Sequence, residues 1–555
     1  MCRRGGTANR QQGEQPRTTD VARAAAWLQW HGMDDQPVVH TTAGRVRGIV
    51  DPTTGMRTWR GVPYGAPTDG QHRFRAPRPR ESWSGELDAT HFAEPAMQGT
   101  YGWNDRVKGT EDCLTLDIVR PDTDDVLPVV VYMHGGTFLT GSSHEKVLQG
   151  HRFAQATDIV YVSLNFRLGV LGYLDLRSLG PDCVANPGTM DQILALEWVR
   201  DNIAEFGGDP DRVTIMGESA GAAAVTTLMC APPARGLFHG AVAQSAPAAA
   251  VHSRIQAAMW VRKLLDGMGL SRLSTLQDLR EVDGEELVRV GNSLLIRSGE
   301  LPYLNLAFMP TVDGDVVPRH PMDVFTDNEE APVPLIIGSN SGEASFTKAM
   351  YVFSKSRERA ARRILEVFDP GHADAILEAY NGALTRSDFA ELVADAVFWA
   401  PSVRLATEHR RVADVWMYHF DHAAPAVKKL GIGAVHTADL EAVFGAQYST
   451  PAGLLQRFGP QSDFETVSAL MQRNWGAFFH TGRVGDEWPV YGFRSEDAPG
   501  RATAVISAQP KVVRDPKVEK RRAWEGFKFT SWGTGRPEVL DSVTDFLGLE
   551  PDEEP

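Results

Sequence analysis

Cysteine is scarce in this chain. Four thiols (Cys2, Cys113, Cys183 and Cys230) in 555 residues are too few for a disulfide-built scaffold. Long apolar runs are missing too. Nowhere do about 18 apolar residues stand together, the length a membrane-spanning helix needs. The opening segment holds basic residues but no apolar core, and its best run, Ala24 to Leu28, is too short for a secretory leader. Cations are outnumbered, with 56 Lys+Arg against 71 Asp+Glu and a formal net charge of −15. That deficit argues against nucleic-acid binding, which needs clustered cations, and against adhesion to an anionic membrane surface. The expectation is a cytoplasmic chain with no nucleic-acid and no membrane partner.

What is present is ordinary for a globular protein. Apolar residues make up 42 % and charged residues 23 %, which excludes a wholly disordered or coiled-coil chain. At about 150 residues per domain, the length alone implies three or four domains. Residues 1–36 are polar and aperiodic, and are expected to form a disordered or loosely docked extension. Residues 547–555 form an acidic tail. From Val38, VVHTTAGRVRGIV, the turn DPTTG and MRTWRGVPYG predict a β-hairpin. Apolar, β-branched runs at Leu114–Val119, Pro128–Met133, Ile159–Leu164, RVTIMG, Pro334–Ile337 and Val415–Phe420 predict strands. Between them, NPGTMDQILALEWVRDNIAEF reads as a helix stopped by Gly207-Gly208. Near-continuous apolar strands alternating with helices imply the α/β class, with a sheet buried on both faces. Residues 250–330 and 350–410 read as mainly helical insertions.

The most informative string is Gly217-Glu218-Ser219-Ala220-Gly221, between a buried strand and a helix start. So sharp a strand-to-helix turn needs small residues around the serine and lifts its hydroxyl into an open site. The helix N-terminus adds a dipole suited to a developing anion. A serine hydroxyl needs a base, and the base needs an orienting group. His436, in GAVHTADLEAVFG, and Glu343, in GSNSGE after a predicted strand, supply those types in the chain order of this fold class. His419 and His422 compete as base, and Asp313 and Asp315 as acid. Strand-end packing suits the two histidines better, and a turn role suits the two aspartates. His134-Gly135-Gly136-Thr137-Phe138 follows strand PVVVYM. Consecutive glycines let backbone N–H groups approach and stabilise an oxyanion. Ser345-Phe346-Thr347-Lys348 is an S-x-x-K string. It lacks the companion motifs of the enzymes that use it, and it reads as chance.

The chain resembles the type-B carboxylesterase/cholinesterase family of α/β hydrolases, close to bacterial para-nitrobenzyl esterases. The resemblance runs from about Val38 past Tyr491. It is carried by RGVPYG, EDCLTLDIVRP, HGGTF, NFRLGVLGYL, the stretch from Asn186 to the serine turn, AQSA, FMPTVDGDVVP, GSNSGE, GAVHTADLEAVFG and WPVY. It implies one domain over residues 37–546, with a large, mostly parallel sheet covered by helices on both faces and helical insertions forming a cap or gorge. By this resemblance Ser219 is the nucleophile, Glu343 the acid and His436 the base. The oxyanion donors are the N–H groups of Gly136, Thr137 and Ala220, and Glu218, Ser245 and Asp439 support the triad. Trp103 and Phe138 are candidate substrate-binding residues. Arg60 with Glu111, and Arg167 with Asp191, are expected ion pairs.

Three departures stand out. Thr137 replaces the usual Gly or Ala, and Asp439 replaces Glu. Met97 stands where secreted members carry the disulfide partner of Cys113. The resemblance implies hydrolysis of a small-molecule ester with no cofactor and no metal, by a monomer or weak homo-oligomer. Two other readings stay open. One is the same triad acting on a lactone, carbamate or specialised ester. The other is a non-catalytic adhesion or scaffold module of the same fold.

Overall fold

A computed structural model describes residues 36–100, 106–298, 300, 304–349, 353–492 and 500–531. The expected extension up to residue 35, the acidic tail and Trp103 lie outside these residues.

An eleven-stranded sheet organises the chain. Its strands, in chain order, are β1 (Ile49–Val50), β2 (Arg57–Pro63), β3 (Thr115–Arg120), β4 (Leu127–Met133), β5 (Val160–Leu164), β6 (Gly208–Glu218), β7 (Gly240–Gln244), β8 (Leu335–Asn340), β9 (Val415–Phe420), β10 (Ala502–Ile506) and β11 (Lys511–Arg514). Their spatial order is β11-β10-β9-β8-β7-β6-β4-β5-β3-β2-β1. The centre, from β5 through β10, is parallel. Both margins are antiparallel. The predicted hairpin is present, with Ile49 facing Thr58 and Val50 facing Arg57.

Both faces of the sheet are buried, which is why the central strands are rich in apolar residues along both faces. Side chains alternate along β4. Val129, Val131 and Met133 enter one core with α1 (Pro187–Asn202) and α2 (Ala220–Cys230). Val130 and Tyr132 enter a second core with α8 (Ala438–Phe444) and α9 (Gln461–Thr481). The insertions contribute α3 (Arg254–Met268), α4 (Gly284–Arg297), α5 (Ser354–Phe368), α6 (Arg386–Ala394) and α7 (Ala400–His409). α10 (Val518–Ala523) follows the last strand. Among the described residues no helix is long and apolar enough to cross a membrane.

One expected ion pair forms and one does not. Arg167 donates to Asp191 at 2.6 and 2.8 Å, with both side chains buried. Arg60 instead meets Asp51 at 3.2 Å, while Glu111 is gripped by Arg73 at 2.7 and 3.0 Å. Arg60 lies over the Phe92 ring, 4.8 Å from its centroid. On strand β2 it points toward the hairpin turn, whose Asp51 is nearer than Glu111. Cys113 is a free, buried thiol, and burial pushes its pKa far up.

Candidate active site

Five chain segments converge where β4, β6, β7 and β8 end. Strand β6 stops at Glu218, and Ser219 adopts φ 58°, ψ −124° before α2 begins. This is a sparsely populated conformation for a residue with a Cβ. The flanking glycines are enforced by space. A Cβ on Gly217 would stand 2.4 Å from the Gly221 carbonyl, and one on Gly221 would stand 2.0 Å from the Met133 oxygen. The strained turn therefore sits wedged against the end of β4.

Ser219 Oγ lies 2.9 Å from His436 Nε2, and His436 Nδ1 lies 2.6 Å from Glu343 Oε2. Separations of 217 and 93 residues along the chain close into one hydrogen-bonded line. The other Glu343 oxygen accepts from Ser245 Oγ at 2.5 Å and from the Asn340 amide at 2.7 Å. Ser245 reaches it from a left-handed turn, φ 53°, after β7. Asp439 is fully buried and does not touch the histidine. It accepts from Gln244 at 2.7 Å, Tyr418 at 2.8 Å and Asn340 at 3.1 Å. It thus braces Asn340, the residue whose amide holds Glu343.

Glu218 Oε1 stands 3.4 Å from His436 Nε2. Burial raises the Glu218 carboxyl to about 8, against the opposing pull of the histidine. Burial depresses His436, but the carboxylates of Glu218 and Glu343 outweigh it and raise the imidazole to about 9. Asp439 is raised as well, by burial and then by the Glu343 charge.

After β4, Gly136, Thr137 and Phe138 all take positive φ (114°, 56° and 55°). Among the described residues, the amides of Gly136, Thr137 and Ala220 carry no hydrogen bond. Such unpaired N–H groups around a serine can receive an anionic oxygen. The Thr137 side chain turns back to its neighbour's carbonyl at 2.7 Å and stays exposed.

The competing residues fall elsewhere. His419 is a β9 residue that burial lowers to about 4, and His422 is buried beyond the strand. Asp313 closes a turn through the Asp315 and Val317 amides. Phe138 is not open to a ligand. It is 2 % exposed, its ring 4.2 Å from that of Tyr173, and it backs the glycine turn from inside the core. Ser345 and Lys348 hold the loop that carries His436. Ser345 Oγ donates to the Ile432 carbonyl at 2.5 Å and Lys348 Nζ donates to the Gly431 carbonyl.

A sequence profile described as the carboxylesterase family matches residues 35–524. The chain belongs to that family. A para-nitrobenzyl esterase of Bacillus subtilis is 33 % identical over 500 residues, covering 87 % of this chain and 98 % of its own. A phenmedipham hydrolase of Pseudarthrobacter oxydans is likewise 33 % identical, over the same shares of the two chains. A solved para-nitrobenzyl esterase structure superposes with a TM-score of 0.78 at 32 % identity, covering 88 % of this chain and 99 % of that one. The match extends over the whole sheet and the site, and it places the protein among carboxylic ester hydrolases.

This carboxylesterase also carries site residues that the motifs did not single out. Phe398 stacks on the His436 imidazole with centroids 4.8 Å apart and planes 30° apart. Gln244, Asn340 and Tyr418 complete the buried network. Gln244 and Asn340 lie inside the AQSA and GSNSGE strings. Phe398 lies in a helical insertion and has no local signature. Among the described residues no group of three His, Cys, Asp or Glu is arranged to hold a metal ion.

Proposed function

We propose that Ser219 is the nucleophile of an acyl-enzyme mechanism in which His436 is the base and Glu343 the orienting acid. His436 takes the hydroxyl proton as Ser219 Oγ attacks the ester carbonyl. The oxyanion that forms is received by the free amides of Gly136, Thr137 and Ala220. The imidazolium, held at Nδ1 by Glu343, gives its proton to the departing alcohol and leaves an acyl-serine. Water activated by the same imidazole then releases the acid. The Ser245 and Asn340 bonds hold Glu343 in line with the imidazole, and Asp439 braces Asn340. No step calls for a metal or an organic cofactor.

The observation that carries this reading is the continuous line from Ser219 Oγ through His436 to Glu343, at 2.9 and 2.6 Å. A non-catalytic scaffold has no need of a strained serine turn aimed at a braced histidine. The substrate class is a carboxylic ester of a small molecule, in keeping with relatives named para-nitrobenzyl esterase and cocaine esterase. In the test, Ser219→Ala is assayed on p-nitrophenyl acetate. The expected loss in kcat is about 10⁴-fold or more, with an unchanged melting curve. Activity within tenfold of the parent would assign the nucleophile elsewhere.

A further inference from the structure

The helical stretch that carries Phe398 is interrupted. Helices α6 and α7 are joined by a π-turn over Asp395–Trp399, and the Ala400 amide bonds to the Asp395 carbonyl. A π-turn inserts one extra residue into the helical repeat, so every later side chain is rotated by about 100° around the axis. Its hydrogen bonds are poorer than those of an α-helix, and such turns persist where surrounding contacts hold them.

Here the contacts come from the far end of the chain. Asp395 is buried and accepts from Lys517 Nζ at 2.8 and 3.0 Å and from Tyr380 Oη at 2.6 Å. The same ammonium stands 3.2 Å from Glu391 and 4.9 Å from the Trp399 ring centroid. Lys520 pairs with Glu391 at 2.6 Å, and Trp524 Nε1 donates to Tyr380 at 2.9 Å. The segment after β11, through α10, is therefore fastened to both the first and last residues of the π-turn. The residue between those two anchors that matters is Phe398, whose ring lies flat on His436.

We infer that Lys517 is a positioning residue. Through Asp395 and Trp399 it holds the π-turn in the register that keeps Phe398 against His436, and so fixes the imidazole between Ser219 and Glu343. The inference rests on the reading of His436 as the base. Without the ammonium, Asp395 keeps a buried carboxylate with only a tyrosine for partner. That is a costly arrangement, which the turn relieves by returning to α-helical register. Phe398 then swings away from the histidine. Loss of position slows the chemical step and leaves substrate binding alone, so kcat falls and KM does not rise.

The experiment is a double-mutant cycle on p-nitrophenyl acetate with Lys517→Met, Phe398→Leu and the two combined. Lys517→Arg and Ser219→Ala serve as controls, and each variant's melting curve is recorded. Each single variant is expected to lower kcat about tenfold with KM within about twofold, and the pair to fall no further than the worse single, because both act through one contact. Lys517→Arg is expected to stay within about threefold of the parent, since it keeps the charge. Should Lys517→Met not fold, Lys517→Met with Asp395→Leu removes the unpaired charge but still leaves the π-turn without its tether to the segment after β11, and so carries the same expectation. A folded Lys517→Met with parental kcat, a raised KM, or a pair whose losses multiply would overturn the inference. An active Ser219→Ala would instead sink the acyl-enzyme reading beneath it.

Discussion

Replacing Glu218 by Gln probes the charges that set the ionisation of His436. The carboxylate oxygen stands 3.4 Å from Nε2 and, among the described residues, has no hydrogen-bond partner. At this separation a full unit charge, with an effective dielectric of about 20, is worth about 5 kcal/mol. Glu218 is itself raised to about 8, so it is mostly charged at a limb near 9 and loses its charge, and part of its pull, toward neutrality. A retained effect of about 1.4 kcal/mol corresponds to one pH unit. The sign follows from the mechanism. In the proposed mechanism His436 accepts the serine proton only when neutral, so activity is expected to be lost as pH falls through its pKa. A base raised to about 9 gives an acid limb above the ordinary histidine range. Gln removes one of the two raising charges and lowers that pKa. The acid limb of kcat/KM for p-nitrophenyl acetate is therefore expected to move about one pH unit lower in Glu218→Gln. A limb that stays in place, or moves to higher pH, would refute the electrostatic reasoning.

Other perturbations separate architecture from chemistry. Arg167→Met leaves the fully buried Asp191 without its ion-pair partner. Urea unfolding is expected to show a loss of about 3–5 kcal/mol, with the activity of the remaining folded protein unchanged. Ser245→Ala removes the 2.5 Å bond to Glu343. It is expected to lower kcat about tenfold while the melting curve moves little, and full activity would show that Ser245 is dispensable. Cys113, buried and with its thiol pKa pushed up, is expected to resist thiol reagents until the protein unfolds. Rapid labelling of the native protein at Cys113 would contradict its placement in the core.

The parts of the fold written in local rules were legible before any coordinates. Strand β9 matches the predicted Val415–Phe420 residue for residue, because a central strand buried on both faces is a nearly continuous apolar run. The serine turn was legible because glycine spacing is dictated by backbone contact within a few residues. β10 and β11, at the sheet's antiparallel margin, carry no such signal, since short strands near an edge need not be apolar throughout. The partner of Glu111 was misread. Arg60 and Arg73 are both suitable cations, and only the course of the chain decides which one reaches it. Phe138 was misread for a related reason. Its neighbours in sequence form the turn, yet its positive φ rotates the ring inward onto Tyr173. Phe398 was invisible because a π-turn has no sequence signature of its own and its anchor, Lys517, lies more than a hundred residues away.

The most direct test of the account is the site of covalent modification. The protein is treated with a diethyl organophosphate ester, digested, and its peptides are weighed by mass spectrometry. The account predicts one diethylphosphoryl group per chain, on Ser219, gained in step with the loss of esterase activity and absent from Ser219→Ala. Inactivation with the label on another residue, or an active enzyme that never acquires the label, would contradict it.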